Sequence, residues 1–235
     1  MYRIRAFRAV DDPESCKTFA DGHLNVLLEY GVTKVTTANL SWFHNPGVYV
    51  ILIESEDGSI AYGGERIHLA NDHAKLPIEE AVSIVDRNIF ELTSKYRALG
   101  RTGELCGLWN SKAIAGRGFS NLLTKLGVAM AQRLEMSSLF VLCAPYTVAM
   151  CQAAGFEIEE SVGSRGTFNY PKLDLIATAL LIRDLKDLPT ANAAYKEKIY
   201  SFSSQPVQLT SDTGPKGEFS FNLNLTTDQD RHEHL

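Results

Sequence analysis

"IAGRGFSNLLTKLGVAMAQ" (residues 114–132) runs a glycine-rich turn straight into an amphipathic helix. Phe119, Leu122, Leu123, Leu126 and Met130, with the neighbouring alanines, form one apolar stripe at helical spacing. Just before it, "ELCGLWN" (104–110) reads as a buried strand. A strand, a glycine turn and a helix start in this order put free backbone N–H groups and a positive dipole end beside Arg117, which suits a phosphate. The turn is not a Walker loop, because G-x-x-x-x-G-K-[ST] is absent. It is not a Rossmann fingerprint either, because Asn121 stands where the last glycine belongs. What remains is a short anion turn. Arg117, Gly118, Phe119 and Ser120 offer consecutive amides, Arg117 adds charge and Ser120 a hydroxyl. The plain alternative is an ordinary loop whose glycines permit a tight bend.

Outward from the turn, the chain alternates strands and helices. Residues 2–9 alternate as a first strand. A helix follows, with Asp12 as cap, Pro13 at its first position and Gly31 at its stop. Its buried stripe is Cys16, Phe19, Ala20, His23, Leu27 and Tyr30. "GVYVILIES" (47–55) and "SIAYGGERIHL" (59–69) form a hairpin, in which Gly63 and Gly64 signal a bulge or a close backbone approach. The pattern from Pro77 to Gly100 predicts one long helix. After the central helix come a strand at 138–144, a short helix ended by Gly155, and strands within 156–163 and 173–185. The fold class is therefore α/β (α+β): a mixed, mostly antiparallel central sheet flanked by helices. Residues 186–235 change character and read as a C-terminal extension. It holds one helix near 190–200, one alternating strand, "EFSFNLNL" (218–225), and a loose end. That strand needs cover, from the edge of its own sheet or from a second copy in a homodimer.

Composition narrows the function classes. The chain has 235 residues, 45% of them hydrophobic and 22% charged, with a net charge of −5. Such a balance argues against a broad nucleic-acid surface. No apolar run is long enough for a membrane span, and the N-terminus lacks the apolar core of a signal peptide. Cys16, Cys106, Cys143 and Cys151 are scattered among apolar neighbours, without metal-ligand spacing. They read as reduced thiols of a cytoplasmic protein. His232 and His234 lie two apart in the polar tail with no third ligand, so no metal is expected.

The stretches "ELCGLWNSKAIAGRGFSNLL" and "MCQAAGFEI" resemble the GNAT acyltransferase superfamily, and residues 1–185 follow its order of elements. In that family the turn is written Q/R-x-x-G-x-G/A and binds the pyrophosphate of coenzyme A. The resemblance implies a fold, a co-substrate (acyl-CoA or acetyl-CoA, with an acyl-carrier protein as the other donor) and an amine acceptor. Two departures stand out: Ala115 where Gln or Arg is usual, and Cys151 where a tyrosine acid is common. A narrower resemblance rests on Gly63, Gly64, Arg66, Leu76, Pro77 and Glu104. It points to the branch with N-acylhomoserine lactone synthases and long-chain N-acyl amino acid synthases.

The resemblance implies roles residue by residue. Ala115, Gly116, Arg117, Gly118, Phe119 and Ser120 would hold the coenzyme A phosphates. Leu108, Trp109 and Asn110 would present backbone amides to the thioester and the pantetheine arm. Glu104 is the candidate base; otherwise it is a strand-end carboxylate facing solvent or pairing with Arg101. Tyr146, one helix face away from Cys151, is a substitute proton donor. Arg66 suits a substrate carboxylate held bidentately, or is a surface charge. Trp109 is a wall of the acyl pocket or part of the core. His68 and His73 flank the second hairpin strand without a defined role. The leading reading is an N-acyltransferase acting on an amine, such as that of an amino acid. The alternative is a GNAT-shaped binding or interaction module that has lost catalysis, which the two departures favour.

Overall fold

Continuous apolar runs build the central strands, apolar alternation builds the C-terminal strand, and apolar stripes build the helices. The computed structural model describes residues 1–29, 40–72, 74–170 and 175–227. In chain order its first elements are β1 (Tyr2–Arg8), α1 (Pro13–Glu29), β2 (Val48–Ser55), β3 (Ala61–Leu69), α2 (Pro77–Val82) and α3 (Asn88–Leu99). Then come β4 (Thr102–Asn110), α4 (Phe119–Arg133), β5 (Ser138–Cys143), α5 (Pro145–Ala153), β6 (Glu157–Ile158) and β7 (Thr167–Asn169). The last are β8 (Ile176–Ile182), α6 (Ala193–Ser204), β9 (Val207–Gly214) and β10 (Gly217–Asn224). Parallel pairs are β1 with β10 and β4 with β5; β2 with β1, β9 with β10, and β5, β6 and β7 with β8 are antiparallel. The sheet is thus mixed and mostly antiparallel.

The chain divides into two compact units. The first comprises Met1–Arg66, Gly107–Gly127 and Ser201–Leu235. Its strands lie in the order β4-β3-β2-β1-β10-β9. Asp12 opens α1 by accepting the Ser15 N–H at 3.0 Å. This helix lays Cys16 and Phe19 onto a core of Phe7, Trp42, Val48, Val50, Leu52 and Trp109. The predicted stop at Gly31 and the stripe residue Tyr30 lie outside the described residues. The alternating C-terminal strand finds its cover here. Phe219, Phe221 and Leu223 of β10 are buried, and β10 pairs with β1 in the register Tyr2↔Phe221 to Arg5↔Asn224. Phe119, from the start of α4, packs against Tyr2 at 4.8 Å and Phe219 at 4.2 Å between ring centroids. Lys125 of α4 makes a buried ion pair with Asp212 of β9, a strand the composition of the extension did not reveal.

The second unit comprises Ile67–Cys106 and Val128–Tyr200, with strand order β6-β8-β5-β4-β3. The long helix predicted from Pro77 to Gly100 is two helices here. Asp86 breaks it: its carboxylate accepts the N–H of Asn88 at 2.9 Å and that of Gly163 at 2.7 Å. A short acceptor side chain competing for backbone donors favours exactly such a restart over a continuous ladder. Ile84 and Val85, in the break, are exposed. Tyr96 of α3 stacks edge-on against Phe140 of β5, with Leu181 of β8 in the same cluster.

Candidate acyl-donor and acceptor sites

Gly118 ends the turn and caps α4. Its carbonyl accepts the first helical N–H, from Leu122 at 3.1 Å. The amides of Phe119, Ser120 and Asn121 therefore precede the helical ladder, as at any helix start. Gly116 and Gly118 have φ of +71° and +93°, a region only glycine enters without strain. Ala115, Gly116 and Arg117 are exposed, Gly118 and Ser120 half-buried, and Phe119 is core. The Ser120 hydroxyl accepts a bond from Asn110 Nδ2 at 2.6 Å, which ties the turn to the end of β4.

The tip of the β9–β10 hairpin is seated on this turn. Lys216 Nζ donates to the Ala115 carbonyl at 2.9 Å. A Cβ on Gly118 would stand 2.8 Å from the Cα of Gly214, and one on Gly214 only 1.9 Å from the carbonyl oxygen of Arg117. So the bare glycines at 118 and 214 are required by backbone packed on backbone. Neither Gly214 nor Lys216 is marked by a motif; only the turn signal "GPKG" (214–217) hints at the tip.

Upstream, the β4–β5 ladder runs from Thr102↔Ser138 to Leu105↔Val141, and no further rung is formed among the described residues. Gly107 follows at φ +65°, a break in the pleat that sequence reading passed over. Gly63 and Gly64 have the close approach expected of them. A Cβ on Gly63 would meet the Trp109 carbonyl at 2.7 Å, and one on Gly64 the Ile51 carbonyl at 2.5 Å. Leu108 and Asn110 are half-buried, whereas the Trp109 side chain is core, edge-on to Phe19 at 6.0 Å between ring centroids and tight against Gly22.

Arg66 is not the surface charge its place in an alternating strand allowed. It is 4% exposed. Its guanidinium lies 4.4 Å from the Trp42 ring centre and 5.6 Å from that of Phe19. Gly107 leaves it room, since a Cβ there would stand 3.0 Å from Arg66 Nε. That Nε has no hydrogen-bond partner, and no carboxylate pairs with Arg66 among the described residues. Aromatic faces offset part of the cost of burying a cation, by about 2 kcal/mol when desolvated; an ordinary buried charge is paired. Arg66 also acts on His23, whose pKa is brought down to about 4 by burial and then by the Arg66 charge.

In the second unit, Glu104 is 2% exposed and accepts the Ile78 N–H at 2.6 Å, so its carboxylate caps α2. Arg101 does not pair with it; its Nη1 donates to the Leu134 carbonyl at 2.8 Å. Glu104 thus has a structural partner that sequence alone did not show. Tyr146 is 87% exposed in the first turn of α5, while Cys151 is buried. His68 is buried; His73, His232 and His234 lie outside the described residues.

No protein-family model and no curated protein matches this sequence. Solved structures do match the fold. FeeM, an N-acyl amino acid synthase from uncultured soil microbes, has a TM-score of 0.62 at 13% identity, with 84% of this chain and 98% of that chain covered. An acyl-CoA N-acyltransferase from Pseudomonas aeruginosa has 0.55 at 9% identity, over 77% and 99% of the two chains. MesI, a CoA-dependent acyl-homoserine lactone synthase, has 0.53 at 17%, over 86% and 95%. With its mixed, mostly antiparallel sheet flanked by helices, the chain has the GNAT acyl-CoA N-acyltransferase fold.

Proposed function

We propose that the chain is an N-acyltransferase that moves an acyl group from a coenzyme A or carrier-protein thioester to the amine of an acceptor carrying a carboxylate, such as an amino acid. The observation that carries the donor half is the turn at 115–118, which ends on the first free amides of α4. In this reading Gly116, Arg117, Gly118 and the amides of Phe119 and Ser120 take the pyrophosphate, while Ala115 lines the turn. The β4 backbone at Leu108, Trp109 and Asn110 takes the thioester carbonyl and pantetheine. Arg66 takes the acceptor carboxylate, and the Trp109 ring backs that site through Phe19. A desolvated guanidinium whose Nε has no partner gains more from a carboxylate than a solvated one does.

The chemistry follows. The amine nitrogen attacks the thioester carbonyl, a C–N bond forms, and the C–S bond breaks. The amine proton passes to Glu104, directly or through a water, and the sulfur leaves as a thiolate that takes a proton. Tyr146 is the candidate donor for that last step, in place of the tyrosine that Cys151 replaces.

The test is to incubate the protein with acetyl-CoA or a long-chain acyl-CoA and an amino-acid panel, reading free thiol and product mass. We expect thiol release matched by an N-acyl product. Arg66→Met should raise the acceptor KM about 100-fold while leaving coenzyme A affinity unchanged. No thiol release from any pairing, with a thermal shift from coenzyme A retained, would favour the non-catalytic binding module instead. Equal acceptor KM in the Arg66→Met protein would remove the carboxylate role.

A further inference from the structure

Strand β9 leaves the sheet of the first unit with an open edge. The order β4-β3-β2-β1-β10-β9 stops there, and no strand among the described residues pairs with its outer side. The second unit ends on β6, which is two residues long, whereas β9 has eight. Short, charged or proline-bearing edges resist pairing with another chain, and long uncharged ones invite it. The ladder fixes which groups β9 turns outward. Only Pro215 and Lys216 separate the paired Gly214 and Gly217, so those two glycines form the hydrogen-bonded pair of a tight hairpin. Counting back from Gly214, Asp212, Thr210 and Gln208 turn their N–H and C=O groups to β10, while Thr213, Ser211, Leu209 and Val207 turn theirs away. The Thr213 N–H agrees: it donates to the Asp212 carboxylate at 3.0 Å. Side chains alternate as well. Asp212 is buried against Lys125 of α4, whereas Val207 and Leu209 are 63% and 67% exposed.

We propose that the outer edge of β9 pairs antiparallel with β9 of a second copy of this chain, about a two-fold axis at Leu209. In that register Leu209 stands opposite Leu209 of the other copy, and Val207 of each stands opposite Ser211 of the other. All three positions turn their backbone groups outward, so the strands exchange N–H···O=C bonds at every second residue. Thr213, whose N–H Asp212 already satisfies, falls opposite Gln205, where β9 has not yet begun. Charge favours the same occupant. A two-fold contact sets each residue near the axis against itself, so an ion there would repel its own copy. None of Val207, Leu209, Ser211 and Thr213 is charged, and the one acid of the strand, Asp212, is held by Lys125. The exposed apolar residues also find cover. Leu209 meets Leu209 directly, and Val207 of each copy reaches Leu209 of the other on the diagonal. This inference does not depend on the acyltransfer reading.

Sedimentation velocity of the full chain between about 1 and 200 µM tests it. We expect a monomer that becomes a dimer as concentration rises, with amide exchange slowing at residues 207–211 in step. Leu209→Lys places two ammonium groups face to face on the axis and should hold the chain monomeric. Its melting temperature at low concentration should not change, because the side chain it replaces is exposed. Leu209→Cys reads the register itself. Opposite Cα atoms of a hydrogen-bonded pair lie about 5.5 Å apart, within reach of a disulfide, so mild oxidation should link two chains through residue 209. Thr213→Cys is the control, because its two copies would stand about 27 Å apart along the strands and should not link. A monomer at every concentration would overturn the proposal. So would a dimer that Leu209→Lys leaves intact, or equal cross-linking at the two positions.

Discussion

The glycine turn and the Arg66 site belong to the same unit and both offer positive charge to an anion, yet they are built in opposite ways. The turn is exposed, uses backbone donors, and is completed by the hairpin tip from about a hundred residues later, where Lys216 reaches Ala115. Arg66 is buried, uses one side chain, and leans on Trp42, Phe19 and Gly107. An exposed charge acts through water and mobile ions, whereas a buried one keeps most of its field. The difference teaches where each site is fragile. The turn fails when backbone packing fails, and Arg66 fails when its own charge or desolvation is lost.

The largest effect is therefore expected at the hairpin tip. Gly214→Val puts a branched side chain where even a Cβ would lie 1.9 Å from the Arg117 carbonyl oxygen. We expect a loss of about 3 kcal/mol or more, read as a melting temperature about 6–12 °C lower, together with weaker coenzyme A binding. Gly217→Ala is the internal control. Nothing stands within 4 Å of a Cβ there, and only its φ of +104° opposes the change. It should cost about 1–2 kcal/mol and leave binding intact. Equal losses of binding in the two proteins would break the claim that the seated tip completes the turn. The same contacts make Gly118→Val a folding mutation as well as a binding one, so Gly118 alone cannot isolate the phosphate role.

Next comes the buried site, probed through pH. His23 titrates at about 4 in the folded protein, against an ordinary value of 6.5, because of burial and then Arg66. The unfolded state thus binds the proton first, and stability falls as pH drops from about 6.5 toward 4. The loss should reach roughly 2 kcal/mol by pH 5. Chemical denaturation across that window should show the slope in the native chain and lose most of it in His23→Gln. In Arg66→Met the slope should shrink without vanishing, since burial remains. An unchanged slope in His23→Gln would assign the acid sensitivity to other groups.

Legibility in the sequence follows the same division. Asp12 and Pro13, the strand–turn–helix around Gly118, and the alternation of Phe219, Phe221 and Leu223 are local signals, and each element they mark is present. The helix break at Asp86 was missed because its apolar period carries on through Ile84 and Val85, which the structure leaves exposed. Strand β9 was missed because Val207 and Leu209, its apolar residues, face outward on an edge instead of marking a core. The burial of Arg66 is set by residues far away in the chain, and a charge in an alternating strand reads equally well as surface. Glu104 presents the converse case. Its position was legible, but not its bond to Ile78, which is a tertiary contact across 26 residues. Gly107, an interior strand glycine, packs against Arg66 but carries no motif of its own.

The smallest effect separates the two sites most cleanly. Arg117 is exposed, and no ion pair holds it among the described residues. Its contribution to coenzyme A affinity should be that of a surface cation near a helix start, about 0.5–1 kcal/mol at low ionic strength. Arg117→Ala should therefore weaken binding only about 2–5-fold in dilute buffer. The effect should fade at 0.5–1 M salt, where the screening length falls to roughly 3–4 Å. The acceptor KM defect of Arg66→Met should survive the same salt, because a buried guanidinium lying against the Trp42 ring and beside Phe19 is shielded from mobile ions. Measuring donor affinity for the first variant and acceptor KM for the second across one salt series sets the two side by side. If both defects decline together, Arg66 works as a solvated charge and the contrast between the sites collapses. If only the Arg117 defect declines, the donor is held by an outer, screened contact and the acceptor by an inner, dry one.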